Sequence, residues 1–113
     1  MERIDPIVIK FENGETYTLE FNRKTVSDAE RAGFRREDAG EMVMTRVPEL
    51  FYYAFKMHHP TIRRDKTDEI LFNDLGGLTD AQIERLIDLY NAPLTTLVNE
   101  SGAPKNSKVT VSL

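Results

Sequence analysis

The hydrophobic period changes once along this chain, and that change restricts the folds open to it. From Ile4 to Phe21 apolar and polar residues alternate, placing Ile7, Ile9 and Phe11 on one face and Val8 and Lys10 on the other. The return run Tyr17-Thr18-Leu19-Glu20-Phe21 alternates in the same way. Between the runs, Glu12-Asn13-Gly14-Glu15 carries an Asn-Gly pair, which supplies the positive φ angles of a tight hairpin turn. After Asn22 the apolar spacing becomes three and four, the period of a helix. The expected class is α+β, an N-terminal β-hairpin followed by about four helices in a small, mostly helical domain.

Punctuation residues divide the helical part. Ser27-Asp28-Ala29-Glu30 has the form of a capping box and predicts a short helix from Thr25 to Ala32. Gly33 then stands where a left-handed cap belongs, and Phe34 folds back as a core plug. Arg35 to Arg46 is the least readable stretch: Met42, Val43 and Met44 fit an extended strand beside the hairpin or one turn of helix, and the preferred reading is irregular or extended. Proline is tolerated at the first helical position, so Pro48 predicts a second helix beginning near Val47 and ending near His58, before Pro60. Its apolar residues reach almost all round, which suits a central helix or one that faces a partner. The hairpin's Ile7, Ile9, Phe11, Leu19 and Phe21 are expected to pack on its Phe51 and Phe55.

A third helix is expected from Arg64 to Leu75, anchored by Ile62, Ile70, Leu71 and Leu75 and ended by Gly76-Gly77. Thr79-Asp80-Ala81-Gln82 is a second capping box, with Leu78 and Ile83 at the spacing of a hydrophobic staple. The fourth helix would bury Ile83, Leu86, Ile87 and Tyr90. Pro93 interrupts it, and a last short turn carries Leu94, Leu97 and Val98.

Length and composition narrow the function classes. At 113 residues and 13.0 kDa the chain fits one domain, read as residues 1–98 with a flexible polar tail over 99–113. Cysteine is absent, which removes disulfides, thiolate metal sites and cysteine nucleophiles. The net charge of −4 argues against nucleic-acid binding, and no apolar run is long enough to span a membrane. Met1-Glu2-Arg3-Ile4-Asp5-Pro6 is not a signal sequence, so the expected location is a cytoplasm.

No catalytic constellation emerges. His58 and His59 are adjacent, so on a helix they point about 100° apart and do not chelate one ion. They suit a helix C-terminus, where positive charge is favoured. Asp65, Asp68 and Glu69 lack the alternating oxygens and glycine of a calcium loop and read as acids of a first helical turn. Neither common phosphate-binding glycine motif is present, and no serine sits in a Gly-x-Ser-x-Gly turn. The expectation is a non-enzyme without cofactor or metal.

Two charged groups are candidate partner surfaces. Arg23, Lys24, Arg31, Arg35, Arg36 and Arg46 gather positive charge in the first half of an acidic chain. Asp80, Glu84 and Asp88 recur every four residues along one side of the fourth helix. In each case the plain alternative is a solvated face. The acids form a possible rim for a partner helix, with Tyr53 and Tyr90 as its apolar floor.

The order of elements resembles a known family. A hairpin, then Ala32-Gly33-Phe34, then the run Leu-Phe-x-x-Ala-Phe-x-x-His-His-Pro over residues 50–60, then Leu86-Ile87-Asp88-Leu89-Tyr90 before Pro93-Leu94, are similar to small proteins of tail gene clusters in phages and prophages of Gram-positive bacteria. Those proteins resemble the tail assembly chaperones of long-tailed phages. The resemblance spans Ile7 to Val98. It implies a non-enzymatic protein of the bacterial host cytoplasm, with the helical tape measure protein and the tail tube protein as partners. A homo-oligomer is also expected, because one hairpin cannot cover so apolar a second helix. A structural phage protein, such as a head-to-tail connector or completion protein, is the competing reading.

Overall fold

The computed structural model describes residues 4–35, 37 and 41–97. It contains an antiparallel hairpin, β1 (Ile7–Lys10) and β2 (Thr16–Leu19), followed by helices α1 (Arg23–Arg31), α2 (Val43–Phe55), α3 (Arg64–Glu69) and α4 (Asp80–Asn91). A π-helical turn, Ile70–Asp74, prolongs α3, and a 3-10 turn, Ala92–Thr96, follows α4. The α+β class read from the sequence is the class observed. The proposed tail over 99–113 lies outside the described residues.

The hairpin pairs Ile7 with Leu19, Val8 with Thr18, Ile9 with Tyr17 and Lys10 with Thr16. Its turn is not the two-residue type that Asn-Gly suggests. Gly14 alone takes a positive φ, +94°; its N–H donates to the Phe11 carbonyl, and the Phe11 N–H donates to the Glu15 carbonyl. This is a three-residue loop with glycine in the left-handed position. The Asn13 side chain serves it differently, accepting the Glu15 N–H at 2.9 Å. Leu19 and Phe21 are buried, whereas Ile7, Ile9 and Phe11 are only partly so.

Helix α1 begins earlier than the serine box suggested. Asn22 caps it, accepting the Thr25 N–H at 2.8 Å while Thr25 Oγ1 accepts the Asn22 N–H at 2.9 Å. Asn and Ser are comparable caps. Starting at Arg23 brings Thr25, Val26 and Ala29 onto the buried face, and that packing decides the choice. Gly33, at φ +101°, ends the helix: its N–H donates to Glu30 and that of Phe34 to Ala29, the paired bonds of a Schellman cap. Phe34 is buried, as expected.

Helix α2 corrects two expectations. Residues 43–46, where the sequence reading prefers an irregular or extended path over one turn of helix, are helical, and Pro48 is the sixth residue of the helix rather than its first. The missing proline N–H leaves the Met44 carbonyl without its helical donor. Met44 is 81% exposed, so the loss falls in the exposed first turn of the helix and not in the core. Burial of Val47 and Pro48 offsets the remaining penalty. The helix stops at Phe55, and His58 follows in a turn.

Helix α2 packs against α1, α3, α4 and β2, so its apolar residues from Val47 to Phe55 are covered from within the chain, while Val43 and Met44 at its start are exposed. Phe51 and Phe55 are at most 1% exposed and meet edge to face, 5.0 Å apart. After α3, the π-helical turn buries Ile70 and Leu71 side by side, and the Leu75 N–H closes it on the Ile70 carbonyl at 2.8 Å. The wider turn leaves Phe72 and Leu75 exposed, so Leu75 is not the expected anchor. Thr79 and Gln82 form the predicted capping box of α4. Leu86, Leu89 and Tyr90 form its buried face, while Ile83 and Ile87 are half-buried. Pro93 is buried at the break and Leu97 is exposed; Val98 lies outside the described residues.

Candidate functional site

The end of α2 is tied to the outer side of β2 by both histidines. The Thr18 N–H donates to His59 Nε2 at 3.0 Å, and the His59 ring stands edge-on to Tyr17 at 5.2 Å. An acceptor nitrogen carries no proton, so this imidazole is neutral, with its hydrogen on Nδ1. Burial, and to a lesser degree the charge of His58, hold the His59 pKa below the usual histidine value. His58 Nε2 lies 2.8 Å from Glu20 Oε1, and the Glu20 N–H donates to the Ala54 carbonyl. The helix-end reading of this pair therefore covers only part of its role. His59 needs a donor 41 residues earlier in the chain, which spacing cannot announce.

The five residues taken from the sequence as a partner site do not form one surface. Asp80, Glu84 and Asp88 are all exposed on α4. Tyr90 is 4% exposed and packs edge to face on Phe21 at 5.4 Å and on Phe34 at 5.0 Å. It is a core residue, which corrects its assignment as a groove floor. Tyr53 is half-buried beside Tyr52, their rings 4.9 Å apart. Burial raises its pKa; Tyr52, Asp28 and Glu49 add to the rise and Arg64 opposes it, none of them on α4.

The basic residues are dispersed. Arg46 forms a two-pronged pair with Glu49 at 2.9 and 3.2 Å. Lys24 bonds Asp28 at 2.8 Å and thereby lowers the Asp28 pKa. Arg23 Nε donates to Thr96 Oγ1 at 2.9 Å. Arg31 and Arg35 are exposed, and Arg36 lies outside the described residues.

The structure opens a groove the sequence did not announce. It has a volume of about 350 Å³ and runs between Ile7 and Ile9 of β1, Leu75 and Leu78 of the loop, and Gln82 and Arg85 of α4. The buried side chains of Leu19, Phe51 and Leu86 close its base. Arg85 Nη2 donates to the carbonyls of Asp5 and Pro6 at 3.1 and 3.0 Å, clamping the entry to β1 against α4. Glu84 lies about 160° around the helix from both Gln82 and Leu86, so the acidic row faces away from this groove.

Exposed large apolar side chains occur in a second place. Met42, Val43 and Met44 are consecutive at the start of α2, exposed by 47%, 44% and 81%. Among the described residues no group of three or more His, Asp or Glu is placed to hold a metal ion, and no helix is long and apolar enough to cross a membrane.

A family model for a domain of unknown function, DUF5055, matches residues 4–113. The chain belongs to the DUF5055 family. No curated protein and no solved structure matches it. For this DUF5055 member the surface itself, apolar at α2 and grooved beside β1, is the basis for a functional reading.

Proposed function

We propose that this protein is a non-enzymatic phage tail assembly chaperone, acting in the bacterial host cytoplasm to keep the helical tape measure protein soluble and to help recruit tail tube subunits. The observation that carries the reading is the consecutive exposed run Met42-Val43-Met44. Methionine is unbranched and polarizable, and it adapts to apolar stripes of differing shape. A chaperone for a long helical client must grip amphipathic helices without selecting one sequence, and a soft apolar patch meets that need. Self-association through the same patch is part of the proposal, since a symmetric pair would cover it between clients.

Co-expression with the tape measure protein of the same gene cluster tests the reading. The wild-type chain should keep that client soluble, and a Val43→Asp/Met44→Asp variant should fold yet lose most of this effect. Equal client solubility with and without the chain would overturn the proposal. Mass spectrometry of purified virions separates the structural-protein alternative, because a chaperone should be absent from mature particles.

A further inference from the structure

The hairpin has one closed edge and one open edge. On β2 the Thr18 N–H points outward to His59 and the Glu20 N–H outward to Ala54. In an antiparallel ladder the residue opposite an outward-pointing one also points outward. Val8, opposite Thr18, and Lys10, opposite Thr16, therefore direct their N–H and C=O groups away from β2. Among the described residues the sheet has two strands only, and Val8 is 49% exposed. Position 6 continues this outward row, but a proline there has no N–H to offer. Arg85 stands at that gap. Its Nη2 donates to the carbonyls of Asp5 and Pro6, while its Nε and Nη1 make no hydrogen bond among the described residues. No acid among the described residues pairs with this guanidinium either. The edge therefore ends in a fixed, uncompensated positive charge beside an apolar groove.

We propose that this edge binds the extended C-terminal segment of a partner protein, antiparallel to β1, with its terminal carboxylate held by Arg85. Strand addition draws affinity from main-chain hydrogen bonds and specificity from room for alternate side chains. One partner residue exchanges both main-chain bonds with Val8, and the residue two before it accepts the Lys10 N–H. The residue two after it lies opposite Pro6, where β1 has no donor left. A chain that ends there presents two carboxylate oxygens to the free N–H groups of Arg85, a charge-assisted and potentially two-pronged contact. Residues facing each other across a ladder share a face. The second and fourth residues counted from the partner's end therefore lie with Ile7 and Ile9, over the groove that Leu75 and Leu78 also line. Those two positions should be apolar. The groove's volume of about 350 Å³ falls within the range of ligand sites, roughly 300–1,000 Å³. The edge is separate from the exposed run of α2, so the inference stands or falls apart from the proposed function.

Fluorescence anisotropy with the full chain tests it, using the probe fluorescein-Gly-Thr-Ile-Thr-Ile-Ser as a free acid and as its C-terminal amide. The acid should bind at least about tenfold more tightly than the amide. Arg85→Gln should erase that difference by weakening the acid alone, with the Leu50 and Phe51 amides still protected from hydrogen exchange as the sign of an intact fold. The comparison of acid with amide uses the wild-type chain, so it decides the matter even where the variant unfolds. Bound acid should also slow exchange of the Val8 and Lys10 N–H groups by at least about tenfold. Equal binding of acid and amide would overturn the proposal, as would no binding of either or unchanged exchange at Val8 and Lys10. Protection of these two amides without peptide would overturn it too. If dilution removes that protection, a second copy fills the edge; if dilution leaves it, the chain fills its own edge.

Discussion

The imidazole of His59 receives a hydrogen bond, at 3.0 Å, from the backbone N–H of Thr18, so a side chain completes the outer edge of β2. The bond requires an unprotonated Nε2, and this makes the joint between hairpin and helix sensitive to acid.

The His59 pKa is lower in the folded chain than in the unfolded one, because burial disfavours the charged ring. Below the ordinary histidine pKa, about 6.5, the unfolded chain therefore binds more protons than the folded one. The associated stability is complete above that pH and is lost as the pH falls through it toward the folded value. Melting temperature should decline between pH 7.5 and 5.5, and His59→Gln should flatten that slope. His58→Gln is the control, since the chain has just these two histidines. A slope unchanged in His59→Gln would assign the proton elsewhere.

Phe55 is fully buried and contacts the rings of Phe51, Tyr17 and His59. Phe55→Ala should cost about 3–5 kcal/mol, a large share of the stability of a small domain. Denaturant titration measures it. A loss below about 1 kcal/mol would mean that the site relaxes around the missing ring.

Gly33→Ala isolates backbone strain from packing. A Cβ at this position meets nothing within 4 Å, yet the residue sits at φ +101°. The expected loss is about 1–2 kcal/mol, from conformation alone. Thermal unfolding checks it, and an unchanged melting temperature would show that the cap re-forms without a positive φ.

Replacing Asp80, Glu84 and Asp88 together by alanine should change stability by no more than about 0.5 kcal/mol. Relief of like-charge repulsion along α4 opposes the loss of the favourable acid in its first turn, Asp80. Client solubility in co-expression should also be unchanged, because the exposed run at α2 carries the proposed contact. A weakened, salt-dependent complex would return the acidic row to the partner surface.

What the sequence determined by itself was local. The hairpin, the Gly33 cap and the Thr79–Gln82 box each close hydrogen bonds between residues a few positions apart, and the residue types those bonds require are visible in order. Their α+β sum follows from one change of period. Tertiary structure decided the rest. Pro48 is held within α2 because burial of its neighbours outweighs a local preference that spacing reads correctly. Asn22 rather than Ser27 caps α1 because the earlier start buries Val26. Tyr90 turns inward because Phe21 and Phe34, distant in sequence, meet beside it. The groove beside β1 exists only where a strand, a loop and a helix separated by some 70 residues come together. Such partners are set by how faces stack, and a one-dimensional pattern records which faces are apolar but not which of them meet.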